Sequence, residues 1–150
     1  MNKLFAILVL LFALNCKSTE HQTKMAKEDI VLIGKGNLFG SGAEGIEKQN
    51  LIVTGSDQWN GLLKKMNSVN NVSDSFSETK VDFSKYTLIA IFDDVKGTGG
   101  HSIELDINTN SENIEVNIDH KGPEGIATTV MTQPFYIVKI PKSDLPILFK

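Results

Sequence analysis

Five side chains in the second half of the chain carry groups that suit a divalent cation: Asp93, Asp94, His101, Asp119 and His120. Carboxylate oxygens and imidazole nitrogens are good ligands for such an ion. Nothing in their spacing draws them together except the order of the strands that bear them, and solvated strand ends account for them better. A second constellation is Gly97-Thr98-Gly99-Gly100-His101. Successive glycines let the backbone turn through positive φ or approach another surface closely. The functional reading is a rigid binding loop that offers backbone amides, or His101, to a partner. The plain reading is a tight connection whose glycines serve geometry. No Gly-Lys-Ser/Thr opens a helix there, so it is not a phosphate loop.

Two further segments lose their chemical reading on inspection. Asp106-Ile107-Asn108-Thr109-Asn110-Ser111-Glu112 starts like a calcium loop. However, Ser111 stands where the turn needs Gly, and Asn117 stands where a bidentate Glu belongs. An Asn-rich hairpin turn explains it better. Gly34-Lys35-Gly36-Asn37-Leu38-Phe39-Gly40 has its third Gly one place too late for a dinucleotide loop, and no long helix follows. No Gly-x-Ser-x-Gly elbow occurs, and His101 and Ser102, as strand neighbours, point to opposite faces. The expectation is a protein without catalytic residues, bound metal or cofactor. A metal-dependent envelope hydrolase using Asp93, Asp94 and His101 is the enzymatic alternative.

The elements that would position these residues are mostly strands. Ile30–Ile33 is a short apolar run, followed by a stretch from Gly34 to Gly45 with five glycines that reads as a loop or loosely paired ribbon. Leu51–Val53 is a second short strand. Ser56 can cap a helix, with Asp57 in its first turn. Trp59, Leu62, Leu63 and Met66 then fall on one helical face, and Asn67 can close the helix. The polar stretch from Asn67 to Lys80 reads as a surface loop. Leu88–Phe92 is continuously apolar, as for a central strand covered on both faces. Ile103, Leu105 and Ile107 alternate with polar residues, as do Ile114, Val116 and Ile118, which predicts an antiparallel hairpin. Ala127–Thr132 and Phe135–Ile140 read as two more strands around Pro134, which marks a bend or an edge. Pro141 and Pro146 close the domain. The expected fold is α+β, mainly antiparallel β-sheet with one amphipathic helix packed on it. Trp59, Leu62, Leu88, Ile91, Phe92, Ile103, Leu105 and Val138 are the expected core.

Composition narrows the partners. The 150 residues carry 15 basic and 18 acidic side chains, a net charge of −3. Every basic residue is Lys, so the bidentate fork that usually reads phosphate and guanine is missing, and no nucleic-acid role is expected. The single cysteine, Cys16, excludes an intramolecular disulfide.

That cysteine sits in a distinctive place. After Met1-Asn2-Lys3 come eleven apolar residues, Leu4 to Leu14. The run is too short for a bilayer core, which needs about 20 residues, and has the length of a signal-peptide core. With Asn15-Cys16 following at once, it resembles a bacterial lipoprotein signal. The resemblance implies cleavage before Cys16 and lipidation of its thiol, although Asn15 replaces the usual small residue. A secreted protein with an incidental Cys is the other reading. Residues 1–15 are thus expected to be a signal peptide, 16–29 a flexible tether, and 30–150 the folded domain. A tether of that length reaches roughly 20 Å. Surface-routed lipoproteins tend to carry acidic residues just after the Cys, and here only Glu20 is near. The expected location is therefore the outer membrane, facing the periplasm, with surface exposure as the alternative.

One family resemblance spans roughly residues 50 to 142. The sequence Val81-Asp82-Phe83-Ser84-Lys85, then Leu88 to Phe92, then Gly97-Thr98-Gly99-Gly100-His101-Ser102-Ile103-Glu104-Leu105 resembles the C-terminal domain of PrcB, a subunit of a bacterial protease complex. Gly122-Pro123 and the closing Thr132-Gln133-Pro134-Phe135-Tyr136-Ile137-Val138-Lys139-Ile140-Pro141 continue the pattern. His101 departs from it, since many members carry an aromatic residue there. The resemblance implies a non-catalytic lipoprotein that associates with a secreted protease and helps to stabilise or mature it. A protease inhibitor whose glycine loop enters a cleft is a further alternative.

Overall fold

The computed structural model describes residues 29–150. The signal segment 1–15, Cys16 and the tether up to residue 28 lie outside the described residues. Seven strands and one α-helix follow in the order β1 (Val31–Leu38), β2 (Gln49–Val53), α1 (Ser56–Met66), β3 (Tyr86–Phe92), β4 (Ser102–Thr109), β5 (Ile114–Lys121), β6 (Gln133–Pro141) and β7 (Ile147–Phe149). They form a four-stranded sheet in the order β1-β6-β3-β2 and a three-stranded sheet in the order β4-β5-β7. Every pairing is antiparallel except that of β5 with β7.

The alternation of β3 explains the layering. Successive strand side chains point to opposite faces. Leu88, Ala90 and Phe92 join a cluster with Trp59, Leu62 and Met66 of α1, together with Phe135 and Ile137 of β6. Ile89 and Ile91 join the opposite cluster with Val138 and Ile140 of β6, and Ile103, Ile114 and Val116 of the second sheet. Both faces of β3 and β6 are therefore buried, which is why Leu88–Phe92 carries no polar residue. Each of the expected core residues is buried apart from Leu105, which is half-buried.

Several expectations change. Of the two readings of the glycine-rich segment after Ile33, its start is a paired strand and not a loop. β1 runs through Gly34 and Gly36 to Leu38, paired with β6, and a bulge between Leu32 and Gly34 sets Ile33 into the core. The ring of Phe76 lies only 2.5 Å from where a Cβ on Gly34 would sit, so the strand needs glycine there. The residue before the helix, Gly55, is the N-cap, and no side chain caps the helix; Ser56 is already helical. Asn67 does close α1, its N–H donating to the carbonyl of Leu63 at 2.9 Å. Residues 127–132 form no strand beyond a single bridge between Thr132 and Lys96. Pro134 lies inside an interior strand rather than at an edge, opposite Asn37 near the end of the ladder. The closing segment after Pro146 adds β7, whose three residues the proline signals concealed.

Candidate functional site

The chain leaves β3 at Phe92 and enters β4 at Ser102; the link holds the glycine loop together with Asp93, Asp94 and His101, while Asp119 and His120 lie on β5. Asp93 comes first. Its side chain is 3 % exposed and meets three basic groups. Lys96 Nζ lies 3.0 Å from Oδ2, His120 Nδ1 lies 3.0 Å from the same oxygen, and Lys48 Nζ lies 3.2 Å from Oδ1. The N–H of Asp94 donates to Oδ1 at 2.8 Å. Burial opposes ionisation of this carboxyl. Lys96, the Asp94 N–H, Lys48 and His120 together outweigh it and hold the acid well below the usual carboxylate range. Asp94 is exposed and pairs with Lys48 at 3.1 Å, which raises the Lys48 pKa.

The main chain of Asp93 is bound as firmly. Its N–H donates to the carbonyl of Pro134 at 3.0 Å. Its carbonyl accepts from Gln133 Nε2 at 3.0 Å, and the same amide donates to the carbonyl of Ile46 at 2.7 Å. Four stretches of chain therefore meet here: the residues before β2, the end of β3, the end of β5 and the start of β6. A carboxylate held ionised by two ammonium groups is a poor proton acceptor near neutral pH. Of the five candidate metal ligands, Asp93 and His120 meet side chain to side chain, and Asp94 reaches Asp93 only through its backbone N–H. Among the described residues no group of three His, Cys, Asp or Glu is arranged to hold a metal ion.

The glycine loop comes next, and it is braced from behind. Lys96 and Thr132 exchange backbone hydrogen bonds at 2.7 and 3.0 Å. The Thr132 hydroxyl donates to the carbonyl of Thr98 at 2.9 Å, and the N–H of Gly99 donates to the carbonyl of Thr128 at 3.0 Å. A Cβ on Gly99 would stand 2.5 Å from Thr128 Oγ1, and one on Gly100 would stand 2.8 Å from Pro123 Cβ. Gly100 also has φ +82°, a conformation that glycine adopts without strain. Gly97 has open space around it. His101 turns back on the loop, with Nε2 3.0 Å from Thr98 Oγ1, while its carbonyl accepts from Asn37 Nδ2 at 3.3 Å.

The loop thus serves as one half of a double loop, its other half being residues 122–132. The two halves differ in what they present. Gly99 is buried, whereas Ile126 at the far tip is fully exposed and Val130 and Met131 are a little under half exposed. Reading 127–132 as a strand hid this half. Its signal was the Gly122-Pro123 and Gly125 punctuation, which marks a turn on the near side of Ile126. Lys48 and Lys96 also went unread as partners of Asp93. The signal for them was an acidic residue directly after a strand buried on both faces, where a carboxylate requires nearby cations.

No curated protein and no solved structure matches the chain. A family model does match, and the matched stretch runs from β3 to the end of β6, taking in the Asp93 junction and both halves of the double loop, while β1, β2 and α1 precede it. Residues 87–141 match the model described as PrcB C-terminal, and this part of the chain is similar to that family.

Proposed function

We propose that this protein is a non-catalytic subunit of the bacterial cell envelope that binds and stabilises a secreted protease. A lipid on Cys16 tethers it to the outer membrane, facing the periplasm. The observation that carries the reading is the PrcB C-terminal match over residues 87–141. The double loop supports it physically. Ile126, Val130 and Met131 expose apolar surface on a segment braced by the glycine loop and the Asp93 junction. A pre-ordered contact loses less conformational entropy on association than a mobile one. In this reading α1 covers one face of the four-stranded sheet and serves as scaffold.

The test is cross-linking in intact cells followed by mass spectrometry of what the chain captures. A secreted protease should be recovered with the wild type. The variant Ile126→Asp should lower that recovery without changing thermal unfolding, because Ile126 is fully exposed. A wild type that captures no protease would defeat the reading. Equal recovery by Ile126→Asp would remove the double loop from it. Palmitate incorporation that persists in Cys16→Ala would defeat the proposed anchor.

A further inference from the structure

β2 ends the four-stranded sheet, and among the described residues no strand pairs with its outer side. Along a strand, the N–H and C=O of one residue point to one side and those of the next residue to the other. Two bonds show which residues face outward. Gln58 Nε2 donates to the carbonyl of Ile52 at 3.4 Å, and the N–H of Thr54 donates to Gln58 Oε1 at 3.3 Å. The backbone groups of Asn50 and Ile52 therefore lie on the free edge, and those of Gln49, Leu51 and Val53 face β3. The Gln58 carboxamide, with one donor and one acceptor engaged, takes the edge positions that the N–H and C=O of one residue of an added strand would take. Its two bonds are long and exposed, so a true peptide can displace it readily.

Beside this edge α1 returns along β2, and the two enclose a groove of about 250 Å³. Ile46, Leu51, Val53 and Leu62 line its apolar part. Gly61 forms part of the helical wall, with no atom within 4 Å of where its Cβ would be. Glycine weakens a helix interior relative to Ala, and nothing packed against Gly61 requires it, so its effect is to leave a notch. Lys65 lines the groove as well and makes no ion pair among the described residues.

We propose that the free edge of β2 and the facing side of α1 form a strand-addition site for an extended segment of a partner protein. An apolar side chain of that segment enters the Gly61 notch, and a carboxylate pairs with Lys65. Strand addition of this kind draws affinity from main-chain hydrogen bonds and specificity from pockets for alternate side chains. Charge complementarity selects the occupant. An apolar small molecule leaves the edge amides and Lys65 unanswered. A second copy pairing through β2 brings Gln49-Asn50-Leu51-Ile52-Val53, which holds no acid to meet Lys65. The inference rests on the reading of this protein as a polypeptide-binding module, and it names a surface apart from the double loop.

The test is to pan a phage-displayed library of random linear peptides on the purified full chain. Gly61→Leu fills the notch. Ile52→Pro removes an outward N–H without touching the ladder to β3, a position where edge strands tolerate proline. Both are first checked for a wild-type circular dichroism spectrum. Selected peptides should carry an apolar residue and an acid, shift the amide resonances of Asn50, Ile52 and Thr54, and bind each variant about tenfold more weakly or worse. Gln58→Ala should bind at least as well as the wild type, because the competing carboxamide is gone. Failure of any peptide to enrich on the wild type over Gly61→Leu overturns the site, as do resonance shifts that map elsewhere or a concentration-dependent dimer through β2. Cross-linking separates this inference from the broader reading. A protease recovered equally by Gly61→Leu defeats the strand-addition site alone, whereas peptides that bind β2 in a protein that captures no protease defeat the protease reading alone.

Discussion

Asp93→Asn is the substitution with the most consequences. The change is nearly isosteric, and Oδ1 can still accept the Asp94 N–H. What goes is the negative charge. The new amide donor also stands at the position that now accepts from Lys96 and His120, each 3.0 Å away. Breaking a fully buried ion pair costs about 3–5 kcal/mol. Here the basic partners reach water, with side chains 27 %, 41 % and 52 % exposed for Lys96, His120 and Lys48, and Lys48 keeps Asp94. The cost should therefore fall to about 2–3 kcal/mol, an apparent melting temperature lower by roughly 6–12 °C for a domain of this size. The pH dependence follows in sign. The folded-state pKa of Asp93 is depressed, so the unfolded chain binds the proton more readily, and stability falls with falling pH. The contribution is fully present above the unfolded pKa of about 3.9. It erodes as pH falls below that value and is gone once the folded-state pKa is passed. Urea unfolding followed by circular dichroism, at neutral pH and in steps below about pH 4, measures the gap between wild type and Asp93→Asn. The gap should be wide at neutral pH and narrow in acid. A variant as stable as the wild type at neutral pH, or a gap that stays constant into acid, would refute the argument.

Two further predictions concern packing. Trp59 is 1 % exposed and its Nε1–H donates to the carbonyl of Thr79 at 2.8 Å, so Trp59→Phe should cost about 2–3 kcal/mol through the cavity and the orphaned carbonyl, measured by urea unfolding. Gly97→Ala should leave stability within about 0.5 kcal/mol of the wild type, whereas Gly100→Ala should cost about 1–3 kcal/mol, since its φ is +82° and Pro123 blocks its Cβ; equal effects in thermal unfolding would contradict the braced-loop geometry.

The sheet framework was legible where side-chain period and burial agreed. The β4–β5 hairpin follows from two alternating runs around an Asn-rich turn. That turn forms as expected, with Asn110 Oδ1 accepting from the N–H groups of Glu112 and Asn113. β1 was less legible. Glycine ordinarily weakens a strand, and here Gly34 is required by Phe76, a residue 42 positions away in the chain. Local pattern carries no record of such a contact. The same limit hid the double loop, because Gly99 and Gly100 are shaped by Thr128 and Pro123 from a different segment.

Residue order alone determined a mostly antiparallel body with a single amphipathic helix and the resemblance to the PrcB C-terminal family, because periodicity and short motifs are local properties of the chain. Tertiary structure alone decided that Asp93 gathers Lys48, Lys96 and His120, that the glycine loop is braced by residues 122–132, and that β2 ends its sheet beside α1 among the described residues. Each of these depends on segments far apart in sequence meeting at distances of a few ångströms. Charge pairing, close backbone approach and strand-edge exposure all act on that scale, and none is encoded in spacing along the chain.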